Sequence, residues 1–485
     1  MKHAYRSAGD LEHMVVSCSL SIKECIYHLN KNRKNIIFLE DSDNRLVGTL
    51  TDGDVRRAFS CDVSPDANVA TAMKLNPIFC TTETNQNEVL AKLGEDYKQG
   101  QVPYIPVLND DEQVVGYYSY YDIAFIPMAQ PSFRTKELSY VLDCVRTSWI
   151  SSQGKYIGEF EDAFCEFTGS KYALAVSNGT AALHLALAAL GIGRGDEVIV
   201  PSLTFIATAN AVTYTGATPV FADSEEDSWN IDPLCVERLV TEKTKAIIPV
   251  HLYGQPCRMD EIMAIAKGYG LYVVEDAAEA TGATYKEQVA GSIGEIGCFS
   301  FFGNKIITTG EGGMVVTDSK DIYEKAKILR DHGMDPKRRY WHPCVGYNYR
   351  MTNMQAAVGL AQLERIDDIL DSKKKITALY RAELHGVRGI TLPPENDWST
   401  NVCWMFSILL QDAALRDYLI NKLVEKNIET RPLFHSIHKM PPYESNVSLP
   451  VCEYLSSRGL TLPSFADLEH EQILRICMEI RNLLV

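Results

Sequence analysis

The chain has 485 residues, of which 46% are hydrophobic and 23% are charged, a composition typical of a globular protein with several domains. Its formal net charge of -16 argues against a protein that binds nucleic-acid backbones, because such binding needs a basic face. The first residues, MKHAYRSAGDLEHMVVSC, contain no apolar signal core, and no apolar run reaches the length of a membrane span, so we expect a cytoplasmic protein. The 13 cysteines form no CxxC pair and are expected to be reduced thiols rather than disulfides or zinc ligands.

The first part of the chain contains an internal repeat. The segment IIFLEDSDNRLVGTLTDGDV (36–55) aligns without gaps on YIPVLNDDEQVVGYYSYYDI (104–123). Each copy predicts an apolar strand, an acidic turn, a second strand, and then a Ser/Thr-x-x-Asp sequence that opens a helix. The repeat resembles a tandem pair of CBS motifs, a regulatory module that often binds adenine nucleotides.

This resemblance implies that a hydroxyl and a carboxylate in each copy hold the ribose of a nucleotide. These residues would be Thr51 with Asp54, and Ser119 with Asp122. The alternative is a structural role, because Ser and Thr cap helix N-termini and aspartate is favoured in the first helical turn. If the module binds a nucleotide, we expect it to regulate the rest of the chain.

The segment IPMAQPSFRTKEL (126–138) contains two prolines and predicts a linker that turns helical. After it, the strands YALAV, EVIV, PVFAD, KAIIPV, YVVED, CFSFF and GGMVVT are predicted, most of them separated by helices. This alternation is typical of a mainly parallel sheet covered on both faces, in which ligands bind beyond the carboxyl ends of the strands. Neither a GxGxxG after the first strand nor the Gly-Lys-Ser/Thr order of a P-loop is present.

Two polar features follow strands of this predicted sheet. Asn178, Gly179 and Thr180 lie between the strand YALAV and an alanine-rich helix, where glycine, free amides and the helix dipole favour a phosphate. Asp276 ends an all-apolar strand, where a carboxylate is costly to bury without a cationic partner such as a protonated ring nitrogen. For both features, helix capping is the alternative.

A lysine and an aromatic residue add to these features. Lys305 follows the apolar strand CFSFF, and a lysine in a partly desolvated pocket loses basicity and can form a Schiff base. Ser300, in the same strand, offers a hydroxyl, and Phe205 is placed to lie against a flat ring. A surface lysine and a core aromatic are the alternatives. Taken together, a phosphate site, a buried acid, a lysine and an aromatic ring indicate pyridoxal phosphate (PLP) as the cofactor.

Residues 137–485 resemble the DegT/DnrJ/EryC1/StrS family of PLP-dependent nucleotide-sugar aminotransferases. The blocks EDAAEA, SFFGNKIITTGEGG and GYNYRMTNMQAAVGLAQLERI carry the resemblance. It implies an α/β protein with the type I aspartate-aminotransferase fold, a mainly parallel sheet flanked by helices followed by a smaller C-terminal α/β domain. We expect a CBS-pair domain at 1–130, a large PLP-binding domain at 131–366 and a small domain at 367–485.

The resemblance also implies a role for each matching residue. Lys305 would bond to the cofactor aldehyde, and Asp276 would pair with the pyridinium nitrogen. The cofactor phosphate would contact Gly179, Thr180 and Ser300, and also Asn348 of a second subunit. The ring face would pack on Phe205, and the ring hydroxyl would lie near Glu279. We therefore expect a homodimer with shared active sites.

Within the family, the segments HGMDPKRRYWHPCVGYNYRMTN (332–353) and ETRPLFHSIHKMPPY (429–443) most resemble enzymes that use glutamate to aminate C4 of GDP-4-keto-6-deoxymannose. The expected substrate contacts are Arg338, Arg339, Tyr340 and His435. Forked arginine cations suit a diphosphate, although a solvated basic turn is the alternative. A UDP-linked 4-keto sugar stays open as the substrate, and we expect the product to serve surface polysaccharide biosynthesis.

Two other functions stay open. In PLP-dependent sugar dehydratases of similar sequence a histidine replaces the lysine, whereas Lys305 is present in this chain. A catalytically idle nucleotide sensor would not need Lys305 with Asp276. A metal site is not expected, because no carboxylate or thiol pattern accompanies His435 and His438.

Overall fold

The computed structural model describes residues 11–32, 34–85, 88–89, 91–93, 104–119 and 124–484. The chain divides into two compact units, Met1–Phe125 and Ile126–Val485. No helix in the described ranges is both long and apolar enough to cross a membrane. The same ranges contain no cluster of three or more His, Cys, Asp or Glu side chains that could hold a metal ion. The division into three domains stays a prediction.

The N-terminal unit contains two similar strand pairs. Within the described residues its strands are β1 (Val15–Ser17), β2 (Ile36–Glu40), β3 (Leu46–Thr51), β4 (Lys74–Leu75), β5 (Cys80–Thr81), β6 (Tyr104–Leu108) and β7 (Val114–Ser119). The helices that are described from end to end are α1 (Ile22–Asn32), α2 (Asp52–Ser60) and a 3-10 turn at Val69–Thr71. The strand orders are β1-β2-β3-β4 and β5-β6-β7. The antiparallel pair β2–β3 shifts register between Leu39 and Glu40, and β6–β7 shifts at the equivalent positions, Val107 and Leu108. The strand pairing therefore repeats as the sequence does, and the register shift occurs at equivalent positions of the two copies.

The second unit is organised around a seven-stranded sheet. Its first strands are β8 (Tyr172–Val176), β9 (Glu197–Pro201), β10 (Thr218–Ala222), β11 (Thr244–Ile247), β12 (Tyr272–Asp276), the short β13 (Thr284–Tyr285) and β14 (Gln288–Val289), β15 (Ile296–Ser300) and β16 (Gly313–Thr317). The sheet order is β10-β9-β11-β12-β15-β16-β8. Only β16 runs antiparallel to its neighbours, so the predicted mainly parallel sheet is confirmed.

Helices cover both faces of this sheet. They are α3 (Glu137–Arg146), α4 (Lys155–Thr168), α5 (Gly179–Ala189), α6 (Ala207–Tyr214), α7 (Pro233–Leu239), α8 (Met259–Tyr269), α9 (Lys320–Arg330) and α10 (Asn353–Leu363), with a 3-10 turn at Leu252–Gly254. Successive strand residues point to opposite faces. Accordingly, Cys298 packs in a cluster with Leu185 of α5, and Phe299 packs in another with Phe164 of α4. Strands buried on both faces explain why these segments read as continuous apolar runs.

A smaller sheet with its own core lies in the C-terminal part of the unit. The elements of this part of the chain are α11 (Ile366–Leu384), β17 (Ile390–Thr391), β18 (Ser399–Thr400), β19 (Phe406–Leu410), α12 (Ala413–Glu425), β20 (Arg431–Pro432), 3-10 turns at Ile437–Lys439 and Pro441–Tyr443, α13 (Pro450–Arg458), β21 (Gly459–Leu462) and α14 (His470–Leu483). Strand β18 pairs with β13 and not with the smaller sheet. The order β17-β19-β21-β20 is antiparallel throughout. Tyr380 of α11, Phe406 of β19 and Ile476 of α14 meet in its core.

The segment expected to be a linker is partly built into the second unit. We refer to residues 126–132 as the lead segment. The amide of Ile126 donates to Asn427 O at 2.8 Å, and the amide of Glu429 donates back to Ile126 O at 2.9 Å. The amide of Met128 donates to the Glu429 carboxylate at 2.9 Å. Because Ile126 and Met128 are also fully buried, this stretch is packed structure rather than a free connection.

Candidate active site

A cavity of about 740 Å³ lies at the carboxyl ends of β8, β9, β12 and β15. The residues that line it include Gly179, Thr180, Phe205, Thr208, Asp276, Glu279, Ser300, Lys305 and Trp404. The structure therefore brings together every predicted cofactor contact except Asn348. This placement follows from the topology, because the parallel strands of one sheet end at the same edge.

Asp276 is the last residue of β12 and is 4% exposed. Thr208 Oγ1 donates a hydrogen bond to its Oδ2 at 2.7 Å, and the amide of Ala278 donates to its Oδ1 at 3.2 Å. Burial raises the pKa of Asp276, and the two hydrogen bonds oppose that rise. A cation against this carboxylate would keep it ionised, so Asp276 suits a protonated ring nitrogen.

Lys305 lies in the turn that follows β15, with 11% of its side chain exposed. Its Nζ is 3.5 Å from Glu279 Oε1, and the other oxygen of Glu279 accepts the amide of Tyr253 at 2.8 Å. Burial lowers the pKa of Lys305, while the charges of Glu279 and Asp276 raise it. Burial likewise raises the pKa of Glu279 to about 7. A larger neutral fraction of the Lys305 amine is what a nucleophile or a base at this position needs.

Aromatic rings form one wall of the cavity. Lys305 Nζ lies 3.6 Å from the ring centroid of Trp404. The ring of Tyr253 stacks between those of Trp404 and Phe434, with centroids 6.1 Å and 5.2 Å away. Phe205 lies 5.9 Å from Phe434 and is 57% exposed, so its face is available to a flat ring. This wall excludes water from the lysine on one side and presents an apolar face to a ligand.

The N-terminus of α5 forms a cradle beside β15. Asn178 caps α5 by accepting the amide of Ala181 at 2.8 Å. A Cβ on Gly179 would lie only 2.7 Å from the Cβ of Ser300, so glycine is required for this close approach. Thr180 and Ser300 add hydroxyl groups to the same cavity. Helix N-terminal amides, the positive end of the dipole and two hydroxyls together favour a phosphate.

The residues of the cavity fit PLP. The cradle at α5 suits the phosphate, the buried carboxylate of Asp276 suits the protonated ring nitrogen, and the amine of Lys305 suits the aldehyde. The individual roles of these residues stay predictions.

The other predicted residues lie outside this cavity in the single chain. Asn348 is exposed, and Arg338, Arg339 and Tyr340 belong to an exposed segment after α9. His435 lines a separate surface groove of about 920 Å³. Their predicted contacts with cofactor or substrate stay predictions.

Three residues of the site were not predicted from the sequence. Thr208 supports Asp276, Trp404 lies against Lys305, and Tyr253 holds Glu279. Thr208 belongs to PSLTFIATAN, the segment that supplied Phe205, and its place at the start of the helix after a strand was a usable signal. Trp404 and Tyr253 carry no local signal, because only tertiary packing brings them to the lysine.

The N-terminal unit has a cavity of its own of about 670 Å³, which Thr51, Asp54 and Arg57 help to line. Thr51 caps α2 and forms a capping box with Asp54, whose Oδ2 accepts the Thr51 amide at 2.8 Å and the hydroxyl at 2.6 Å. Arg57 pairs with the same carboxylate. The capping role is thus present, and nucleotide binding stays a prediction. Ser119 is buried at the end of β7, whereas Asp122 lies outside the described residues.

Comparison with known proteins identifies the family of the chain. The DegT/DnrJ/EryC1/StrS aminotransferase family matches residues 131–481, and the CBS domain matches residues 8–61 and 63–128. The chain is 49% identical over 359 residues to a protein named GDP-perosamine synthase in Escherichia coli O157:H7, and the match covers 74% of this chain and 98% of that protein. It is also 49% identical over 369 residues to a protein of the same name in Caulobacter vibrioides, and that match covers 75% of this chain and 100% of that protein.

Solved structures are similar as well. The PLP form of the putative sugar aminotransferase Spr1654 from Streptococcus pneumoniae matches with a TM-score of 0.71 at 28% identity, covering 74% of this chain and 98% of that one. The aminotransferase from Psychrobacter cryohalolentis matches with a TM-score of 0.69 at 35% identity and the same coverage. The predicted fold, family and cofactor are thereby confirmed. The chain belongs to the DegT/DnrJ/EryC1/StrS aminotransferase family and is a PLP-dependent sugar aminotransferase with CBS domains preceding its catalytic part.

Proposed function

We propose that the chain transfers the amino group of glutamate to the C4 keto group of a nucleotide-linked 4-keto-6-deoxy sugar. The proposed substrate is GDP-4-keto-6-deoxymannose, the product is GDP-perosamine, and the pathway is surface polysaccharide biosynthesis. The observation that carries the proposal is the 49% identity to GDP-perosamine synthases over nearly their whole length, together with one cavity that holds Lys305 and Asp276.

Each of these cavity side chains has a separate role in the proposed reaction. When bound, PLP supplies an aldehyde that bonds to amines and a ring that accepts an electron pair. Asp276, at the end of β12, would keep the ring nitrogen of the bound cofactor protonated. Lys305 Nζ removes the proton from the α-carbon of glutamate and, in the second half of the cycle, delivers a proton to C4 of the sugar. One amine held over both reacting carbons gives a proximity advantage. Trp404 keeps water away from that amine.

The deciding experiment incubates the PLP-loaded protein with ¹⁵N-glutamate and a panel of GDP- and UDP-linked 4-keto-6-deoxy sugars. Mass spectrometry of the products reports which sugar acquires the heavy nitrogen. We expect transfer to the GDP-linked ketosugar, with glutamate preferred over aspartate or glutamine. Transfer only to a UDP-linked sugar would move the proposal to that substrate class, and absence of transfer from glutamate to every sugar would reject it.

We further propose a homodimer in which each active site is completed by the partner chain. Support comes from Asn348, which the resemblance assigns to the cofactor but which is exposed and outside the cavity. The helix α3 also presents an exposed apolar stripe at helical spacing, formed by Leu138, Leu142 and Val145. A second copy of the chain would cover this stripe.

Mixed dimers test the shared site. We expect Lys305→Ala and Asn348→Ala proteins to be inactive separately and to recover about one quarter of wild-type activity when unfolded, mixed equally and refolded, because each two-fold heterodimer then contains one intact site. The measurement is turnover of the ketosugar as a function of mixing ratio. A mixture no more active than its parents, although native mass spectrometry detects heterodimers, would contradict the shared site.

For the N-terminal unit, we propose adenine-nucleotide binding in the cavity lined by Thr51 and Asp54. The test titrates ATP, AMP or GTP into the protein and measures the melting temperature and the turnover rate. We expect an adenine nucleotide to raise the melting temperature, and Asp54→Asn to abolish the effect while keeping an oxygen that caps α2. Asp66→Asn, an exposed change outside the cavity, is the control. If no nucleotide alters either quantity, the module is structural only.

A further inference from the structure

Lys373 of α11 is a buried lysine that the proposed reaction does not use. Its side chain lies in the interior, and only 4% of the residue is exposed. Its Nζ donates to the backbone carbonyl of Trp404 at 2.9 Å and to that of Ser464. Burial lowers the pKa of Lys373 to about 8, and the Cys403 thiol opposes the shift. A buried amine held by neutral carbonyls is costly, which suggests that it serves a purpose other than stability.

Trp404 connects Lys373 to the segment that carries Lys305. At its carbonyl, Trp404 accepts the Lys373 amine. At its side chain, the indole Nε1–H donates to Asn304 O at 2.7 Å, and the ring lies 3.6 Å from Lys305 Nζ. The amide of Trp404 donates to Tyr253 O at 3.0 Å. Lys373 therefore holds the backbone of Trp404, while Asn304 and Lys305 contact its indole.

A small cavity of about 40 Å³ provides a second connection. Lys373, Trp404, Asn304 and Lys305 line it together with the lead segment. The Asn304 side-chain oxygen is buried and has no hydrogen-bond partner within the described part of the chain. Lys373 has a third ammonium hydrogen beyond the two that its carbonyl partners take. A space of this size holds one or two water molecules, enough to bridge such a donor and acceptor behind Lys305.

We propose that Lys373 is a positioning residue for Lys305, acting through the Trp404 backbone that it holds. The inference rests on the proposed role of Lys305 as the amine that binds the cofactor and carries the proton. With Lys373 in place, the indole stays against the Lys305 side chain and confines its amine. Without it, the Trp404 carbonyl keeps only the longer hydrogen bond from the Ser464 hydroxyl, at 3.4 Å. The ring then moves, water reaches the Lys305 amine, and that amine becomes more basic.

The test compares Lys373→Met with Lys374→Met, the adjacent exposed lysine of the same helix. In the protein without PLP, the rate of Lys305 acetylation is followed by peptide mass spectrometry across pH. We expect Lys373→Met to raise the apparent pKa of Lys305 by about one unit, a tenfold loss of neutral amine at neutral pH, and Lys374→Met to leave it unchanged. In the loaded enzyme, kcat should fall about tenfold at constant KM for the sugar. Lys373→Arg, which can donate to the same carbonyls, should restore most of both quantities.

A fall in kcat without a change in the Lys305 titration would overturn the proposal, because it would indicate a merely structural role. The Trp404→Phe variant is an independent test of the proposal, since it keeps an aromatic ring but removes the indole N–H. We expect it to shift the Lys305 titration in the same direction, and the double variant to show less than the sum of the single effects. Additive effects would contradict action through Trp404. If Lys373→Met does not fold, an unchanged titration in Trp404→Phe is itself sufficient to reject the proposal.

The failure of this inference is distinguishable from a failure of the proposed function. If Lys305→Ala still binds PLP covalently, the assigned role of Lys305 is wrong whatever the Lys373 variants do. If Lys305→Ala does not bind PLP covalently but Lys373→Met titrates like the wild type, only the positioning role of Lys373 is wrong.

Discussion

Replacing Lys305 with alanine is expected to remove the covalent bond to PLP and to lower turnover by at least about 10²-fold, since positioned proton transfer alone contributes about 10²- to 10⁴-fold. The variant loses both the amine that reacts with the aldehyde and the base that moves the proton. Neighbouring groups do not substitute for it, because Glu279, 3.5 Å away, has no nucleophilic amine. Borohydride reduction of the PLP-loaded protein followed by peptide mass spectrometry locates the bond, and product formation from the ketosugar reports turnover.

The matched control is Lys267→Ala, an exposed lysine on α8. This control should retain the reduced cofactor adduct on the Lys305 peptide and wild-type turnover. Melting curves of the two variants should differ little, because Lys305→Ala removes a costly buried amine rather than an apolar contact. A cofactor adduct at another lysine, or turnover that survives Lys305→Ala, would refute the assignment.

Replacing Asp276 with asparagine is expected to lower kcat by on the order of 10²- to 10³-fold, because an unpaired buried charge costs about 3–5 kcal/mol. The asparagine oxygen can accept the Ala278 amide, and its NH₂ group can donate to the Thr208 hydroxyl, so the strand end should keep its geometry. What the amide cannot do is stabilise a positive charge on the ring nitrogen. The reduced adduct on Lys305 should persist, which separates this variant from Lys305→Ala.

The measurements are kcat, the affinity for PLP and the pH dependence of the absorbance of the bound cofactor. Asp367→Asn, an exposed change on α11, controls for general effects. In Asp276→Asn we expect the ring nitrogen to lose its proton within the working pH range, whereas in the control it should stay protonated. Wild-type kcat in Asp276→Asn would show that this carboxylate does not support the ring.

The sequence predicts the sheet and its site well where the signal is local. The strands Tyr172–Val176 and Tyr272–Asp276 have the predicted bounds, because apolar runs buried on both faces end sharply at polar residues. The strand before Lys305 is less regular: CFSFF continues the apolar run to residue 302, but β15 ends at Ser300. The amide of Phe301 still donates to Gly312 O at 2.8 Å, but Phe301 and Phe302 lie outside the strand, ahead of the turn that carries Lys305. Hydrophobicity alone does not mark that boundary.

Contacts between distant segments lie beyond such prediction. Trp404 reaches Lys305 only because the C-terminal sheet packs beside the large one, and no spacing in the sequence encodes that distance. The buried position of Lys373 escaped prediction for a different reason. It begins the run Lys-Lys-Lys, which resembles a solvated face. Its spacing from Ile369, Ile376 and Tyr380 places it on the buried stripe of α11, and this helical period was the signal that could have identified it.

The lead segment has a consequence for dividing the chain into pieces. A catalytic fragment cut at residue 131, where the family match starts, would lack Ile126 and Met128, which are 0% and 1% exposed in the whole chain. It would lose about 1.5–3 kcal/mol of stability for each of these buried side chains, and Ile428 would lack its β-bridge partner. Ile428 lies just ahead of Arg431 and Pro432, which border the cavity. In such a fragment, the effect of removing the N-terminal module could therefore not be separated from damage to the cavity. A fragment meant to work without the N-terminal module should begin no later than Ile126.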